Sequence, residues 1–268
     1  MKIAAVQMTS SPVFEDNMTT ARDLIAQAVA QGARLVLLPE YWPLMGLRDS
    51  DKLTLAHSHN AAVMVEFMAQ QARLHAIYLI GGTIPIASPL PDKVYNTTLV
   101  FDPQGKQVAR YDKIHLFGFS NGKESYQESR SILAGTVPES FVAQDNGEQV
   151  NVGLSICYDL RFPELYRRLA CMDLLVVPAA FTYTTGSAHW EILLRARAIE
   201  NQCYVLACGQ TGHHPNGRHT WGHSMLINPW GDIIAQRDDG EGVVVGELDA
   251  GFIQQVRQNL PALQHRVI

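Results

Sequence analysis

The chain has 268 residues, 47% hydrophobic and 18% charged, with a formal net charge of −5. That balance excludes a disordered chain, and at this length folding buries roughly three-quarters of the unfolded surface, so no disulfide or metal staple is required. No basic cluster exists to meet a polyanion, which excludes nucleic acid as the expected partner.

Ile3 to Met8 reads as a first strand, leaving no apolar stretch for a signal peptide. Ala21, Leu24, Ile25, Ala28 and Val29 then recur at the spacing of one helix face, and Gly32 ends that helix. Leu35-Val36-Leu37-Leu38 is a continuous apolar run before Pro39, as expected of a strand buried on both faces. Ser58 is placed to cap a helix carrying Val65, Met68 and Ala72. Ile77 to Ile86, Val94 to Phe101 and Val108 to Asp112 follow as strands, with a turn at Asp102-Pro103-Gln104-Gly105.

The second half repeats the rhythm. Val150 to Ile156 is a strand, and Pro163 opens a helix through Arg168. Leu174-Leu175-Val176-Val177 is a strand stopped by Pro178. A long helix runs from about Ser187 to Asn201, and its apolar residues keep to no single stripe, which predicts cover on more than one side. Cys203 to Cys208, His223 to Asn228, Ile233 to Gln236 and Val243 to Leu248 are later strands. No linker or compositional break divides the chain, so residues 1–268 are expected to form one α/β domain with helices outside sheet material. No run of about 18 apolar residues occurs, so no membrane span is expected. The expectation is a soluble cytoplasmic protein whose four cysteines remain thiols.

In open α/β sheets, sites gather at the carboxyl ends of strands. Glu40, Lys113 and Cys157 fall at such ends. Singly, they read as a loop carboxylate, a surface charge and a small core residue. Together they form a catalytic set. A thiol of ordinary pKa is only a few per cent thiolate at neutral pH, so a carboxylate in reach must take its proton during attack. A lysine supplies positive charge for the thiolate or an oxyanion, and the Tyr158 N–H is the natural second donor. The target is a carbonyl or nitrile carbon, attacked to give a thioester that water hydrolyses.

Three segments carry a resemblance. Leu37-Leu38-Pro39-Glu40, Tyr111-Asp112-Lys113-Ile114-His115-Leu116-Phe117 and Gly153-Leu154-Ser155-Ile156-Cys157-Tyr158-Asp159-Leu160-Arg161-Phe162-Pro163-Glu164 resemble, in order, the signature blocks of the nitrilase (carbon–nitrogen hydrolase) superfamily. The resemblance implies Glu40 as general base, Lys113 as oxyanion-stabilising cation and Cys157 as nucleophile. Tyr126-Gln127-Glu128-Ser129 is similar to the segment bearing the family's additional glutamate, which implies that Glu128 orients Lys113 or positions substrate. The implied fold is a four-layer αββα sandwich, paired through its outer helices into homodimers or larger homo-oligomers, with no cofactor and no metal.

A narrower likeness lies in the C-terminal half. Thr184 to Glu191 and Arg195 to Val205 resemble the Nit branch, whose first part the omega-amidases share. Trp221-Gly222-His223-Ser224-Met225 and the ending Leu260-Pro261 to His265-Arg266 are more like deaminated glutathione amidases. This implies a small-molecule amide substrate, a 2-oxo acid amide, cleaved to 2-oxoglutarate and Cys-Gly. Omega-amidase, nitrilase and an inactive scaffold are the alternatives. Thr185 and His189 are expected near the acyl pocket. Asp159 and Arg161 are expected to brace the turn after Cys157. Cys171, Cys203 and Cys208 are expected to be buried packing thiols. His213, His214, His219 and His223 occupy a Gly/Pro/Asn loop at spacings unlike compact zinc motifs, so they are expected at the site mouth or a subunit contact.

Overall fold

The computed structural model describes residues 1–122, 124–169 and 171–267. The first half contains β1 (Lys2–Gln7), α1 (Phe14–Ala30), β2 (Leu35–Leu37), α2 (Asp51–Ala56), α3 (Asn60–His75), β3 (Tyr78–Ile80), β4 (Ile84–Ala87), β5 (Val94–Phe101) and β6 (Gln107–Asp112). A small ribbon follows, β7 (Gly118–Ser120) with β8 (Ser125–Gln127). Next come β9 (Ser140–Asp145), β10 (Glu148–Leu154), α4 (Pro163–Arg168), β11 (Leu174–Ala179), α5 (Tyr183–Asn201) and β12 (Tyr204–Gly209). A second ribbon pairs β13 (Thr211–His213) with β14 (His219–Trp221), and β15 (Ser224–Ile227), β16 (Ile233–Arg237), β17 (Gly242–Glu247) and α6 (Ala250–Asn259) complete the order.

Two sheets share one plan. The first runs β17-β1-β2-β3-β5-β4, with β6 on the other edge of β5, and the second runs β16-β15-β12-β11-β10-β9. Each has a parallel three-strand centre, β1-β2-β3 or β10-β11-β12, flanked by antiparallel strands. Alternation along β1 explains the layering. Ile3 and Ala5 point into a core shared with Val152, Leu206 and other residues of the second sheet. Ala4 and Val6 point the other way, into a core with Ile25 of α1 and Met68 of α3. The second sheet carries Leu165 of α4 and Trp190 and Leu194 of α5 in its share of the core. The result is the expected four-layer sandwich, and each fully buried Leu or Ile contributes about 1.5–3 kcal/mol. The Cys208 thiol of β12 donates across the sheet interface to the Val6 carbonyl at 2.9 Å and the Leu37 carbonyl at 3.3 Å. Among the described residues no helix is long and apolar enough to cross a membrane.

Several local expectations need correction. Ile77 to Ile86 is two strands, not one. Gly81-Gly82 breaks it, and both pieces pair with the same β5, at Phe101–Val100 and Thr97–Val94. Gly82 has φ 50°, and a Cβ there would collide with the carbonyl oxygens of Leu38 and Pro39, so only glycine fits. Pro178 does not stop β11, which continues to Ala179. The Ser155 hydroxyl donates to the Val176 carbonyl, so residues 176 and 178 share the β10 side. Because β10 has ended at Leu154, proline removes no ladder bond there. Ser58 does not cap α3. It bridges α2 and α3, accepting from the Asn60 N–H and donating to the Leu55 carbonyl. Helix α5 starts at Tyr183, four residues early, because the Thr182 side chain caps it by accepting from the Thr185 N–H.

Candidate active site

The carboxyl ends of the two parallel centres converge, and four side chains meet there. Glu40 lies just beyond β2, followed by Tyr41 at φ 57°. Lys113 directly follows β6. Glu128 opens a 3-10 turn directly after β8. Cys157 opens a 3-10 turn after β10 and adopts φ 50°. A positive φ in a non-glycine residue costs about 1–3 kcal/mol and persists only where the surroundings over-determine it.

The surroundings of Cys157 do so. Asp159 is fully buried and accepts four bonds. Its Oδ2 takes the Ile156 N–H at 2.9 Å and the Tyr111 hydroxyl at 2.7 Å. Its Oδ1 takes the His115 N–H at 3.0 Å and lies 2.7 Å from His115 Nδ1. Asp159 therefore braces the turn, as expected. Arg161 stacks over Tyr158 and Phe181, which steadies the same turn from outside.

Lys113 is the hub of the charges. It is fully buried, and its Nζ donates to Glu40 Oε1 at 2.8 Å and to Glu128 at 2.9–3.0 Å. Glu40, only 1% exposed, also accepts from Asn96 Nδ2 at 2.9 Å and from the Ala180 N–H at 2.8 Å. Glu128 accepts from the Tyr41 hydroxyl at 2.8 Å and the Phe117 N–H at 2.7 Å. Two carboxylates and one ammonium thus sit in a closed network, which satisfies the rule that buried charges must be paired and hydrogen-bonded.

The electrostatics follow from this packing. Burial alone would depress Lys113, but Glu128 and Glu40 outweigh it and hold the ammonium well above its ordinary pKa. Burial pushes Glu128 up, yet Lys113 and the donated bonds bring its carboxyl below the usual range. Burial, reinforced by Glu40, pushes the Cys157 thiol well up, with Lys113 acting in the opposite sense. The resting nucleophile candidate is therefore a neutral thiol with a carboxylate beside it, suited to proton transfer during attack.

Cys157 opens on an inner cavity of about 90 Å³ that Glu40, Glu128 and Thr220 also line. Tyr41, Lys52, Tyr126 and Arg218 line both this cavity and an outer vestibule of about 400 Å³. Tyr158 and Thr185 line a small recess beside Cys157. Within the protein, the Tyr158 N–H is left without a backbone acceptor among the described residues. His189 is exposed on α5 and lies 3.2 Å from Arg161. Cys171 is a correction. It is exposed, in a turn at φ 59°, whereas Cys203 and Cys208 are buried.

His219 reaches the cavity, and its ring stacks between Tyr183 and His213. His214 is buried, bonded to the Ser10 carbonyl and the Thr220 hydroxyl. Among the described residues no group of three His, Cys, Asp or Glu is arranged to hold a metal ion. Sequence reasoning missed Asn96, Tyr41 and Arg218. Asn96 carried a signal, a carboxamide inside β5 that is buried together with Thr97 and Thr98.

Residues 2–258 match the model of the carbon–nitrogen hydrolase family. A deaminated glutathione amidase of Synechocystis sp. is 45% identical over 269 residues, covering 98% of this chain and 97% of the relative. Among solved structures, the Caenorhabditis elegans NitFhit protein superposes with TM-score 0.90 at 39% identity, covering 99% of this chain and 65% of that one. Saccharomyces cerevisiae Nit3, a member of branch 10 of the nitrilase superfamily, superposes with TM-score 0.85 at 31% identity, over 100% and 97% of the two chains. With this family match, the sandwich fold and the buried Glu–Lys–Glu network beside a thiol, the chain belongs to the carbon–nitrogen hydrolases, enzymes that cleave non-peptide C–N bonds.

Proposed function

We propose that the enzyme hydrolyses the amide of a small 2-oxo acid through a cysteine thioester, with deaminated glutathione as substrate and 2-oxoglutarate and Cys-Gly as products. The observation that carries the mechanism is the Glu40–Lys113 pair, bonded at 2.8 Å beside the Cys157 thiol. The substrate reading draws on the Synechocystis relative, which aligns over nearly its full length.

Cys157 Sγ attacks the amide carbon, a C–S bond forms, and the thiol proton passes to Glu40. The oxyanion rests against Lys113 and the Tyr158 N–H. Its collapse breaks the C–N bond, and Glu40 returns the proton to the leaving amine. Water then attacks the thioester and gives a proton to Glu40, and the acid leaves as the thiol is restored. Glu128 touches Lys113 rather than the reacting atoms, so its role is to hold the ammonium in place.

The whole of 1–268 acts as one domain in this reading. Exposed Ile192 and Ile199 on α5, with nearby Trp230, support a homodimer face. The exposed Cys171 thiol suits a reducing, cytoplasmic setting. The test compares kcat/KM on deaminated glutathione, 2-oxoglutaramate and succinamate. Highest turnover of deaminated glutathione is expected. Equal or better turnover of the other two moves the assignment to omega-amidase.

A further inference from the structure

The cations between cavity and vestibule divide into partnered and unpartnered. Lys52 Nζ bonds Asp49 at 3.3 Å and the Ser131 hydroxyl at 3.1 Å. Arg218 has no such partner. Among the described residues no carboxylate lies in salt-bridge range of its guanidinium, which sits 5.2 Å from the centre of the Tyr126 ring. The two acids on the vestibule wall are engaged elsewhere, Asp49 by Lys52 at 3.3 Å and Glu124 by the Thr184 hydroxyl at 2.9 Å.

The backbone holds Arg218 in place. Its carbonyl accepts from the His214 N–H at 2.8 Å, and its N–H donates to Asn216 Oδ1 at 3.0 Å. Asn216 Nδ2 donates in turn to the Gly46 carbonyl at 2.8 Å, tying the ribbon tip to the opposite wall of the vestibule. A half-buried arginine, fixed at the mouth of a site and lacking an internal anion, is pre-set for an anionic group on the ligand.

Position decides which group. The inner cavity, about 90 Å³, adjoins Cys157 and is the smaller of the two spaces, so the acyl half is assigned to it. Arg218 lines both that cavity and the 400 Å³ vestibule, so it stands where a bulky leaving group would pass from one to the other. We infer that Arg218 forms a subsite for the carboxylate of the leaving group, selecting amides whose amine half is an acidic peptide over those releasing ammonia. This rests on the amidase reading above and adds the specificity of its amine half.

The experiment uses the full chain and three substrates with one acyl group: deaminated glutathione, its C-terminal carboxamide, and 2-oxoglutaramate. Wild type is expected to prefer the acid over the carboxamide by roughly ten- to a hundredfold in kcat/KM, chiefly through KM, the range of a hydrogen-bonded charge pair. Arg218→Gln is expected to bring that ratio close to one, and Arg218→Lys to restore part of it. An unchanged ratio in Arg218→Gln overturns the inference. So does a loss on 2-oxoglutaramate as deep as that on the acid, which would place Arg218 at the acyl half or in the fold. If wild type turns over both dipeptide substrates without distinguishing them, this inference fails while the amidase reading stands. No turnover of either ends both.

Discussion

The floor and the mouth of the site solve the problem of charge in opposite ways. On the floor, Lys113 and Glu40 are essentially inaccessible, and each ion is held by at least two partners. At the mouth, Arg218 is half-exposed and touches an aromatic face rather than an acid. A buried ion without partners is prohibitively costly, so floor charges must be internally complete and rigid. A mouth ion in contact with solvent tolerates a missing partner until a ligand supplies one. Reaction chemistry that needs preorganised charge belongs on the floor, and recognition belongs at the mouth.

The floor should therefore fail catastrophically and the mouth gradually. The largest expected effect is on Cys157→Ala. It removes the bond-forming atom, and losses of this kind reach roughly 10⁶-fold in kcat. The thiol carries no charge in the resting network, so the variant should keep its fold and its melting temperature within a few degrees. Mass spectrometry of wild type with substrate should reveal an acyl adduct at Cys157, absent from the variant. Substantial hydrolysis by Cys157→Ala breaks the comparison, since the floor would then not be the seat of the chemistry.

Lys113→Met comes next. Losing one oxyanion donor lowers the rate by roughly 10²–10³-fold, and a lysine that also positions the base should lower it further. Here stability should fall as well. The substitution leaves Glu40 and Glu128 facing each other without the ammonium that separates them, and breaking a buried pair destabilises by about 3–5 kcal/mol. For a chain of this size that is a drop of roughly 6–20 °C in Tm. Calorimetry beside an adduct assay separates the two losses. A variant that melts normally yet forms no adduct would show that the two carboxylates do not depend on Lys113 for their burial.

The same contrast explains what was legible in the chain before its structure. Glu40, Lys113 and Cys157 each lie one to three residues beyond a strand, and strand ends are visible as apolar runs meeting a polar residue. Glu128 came through segment likeness. Asn96 was not legible because its partner Glu40 is 56 positions away, and no local period encodes that pairing. Arg218 was hidden for another reason. Its lack of a salt-bridge partner among the described residues is a property of the folded surface alone. His189 was placed near the acyl pocket by family likeness, and its contact with Arg161 is set by the fold of α5. Pro178 misled because a proline ends a central strand only where its N–H would have had a partner. The sandwich itself was implied by family likeness, and the alternating apolar positions of β1 supply its physical reason.

The smallest expected effect among the floor residues is on Glu128→Gln, and it tests whether the floor is bound together by charge or by shape. Glutamine keeps the volume and can still accept from Tyr41 or Phe117, so the loss at neutral pH should be modest, about 1–3 kcal/mol. Its pH dependence is the sharper measurement. The Glu128 carboxyl titrates below its ordinary value in the folded chain. Its contribution is therefore fully present above the unfolded-state pKa of about 4.3 and is lost as pH falls through the lower folded value. Lys113 has the opposite sign. Its folded pKa is raised, so its contribution is complete below about 10.4 and is lost as pH climbs through the higher folded value. The contribution of the Lys113–Glu128 pair to stability should accordingly be constant between these limits and fall away outside them. In Glu128→Gln the acid limb should be shallower, and the gap to wild type should close as pH falls below about 4. Parallel acid limbs would mean that the Tyr41 and Phe117 bonds hold the floor by shape, with the Lys113–Glu128 charge pair contributing nothing measurable.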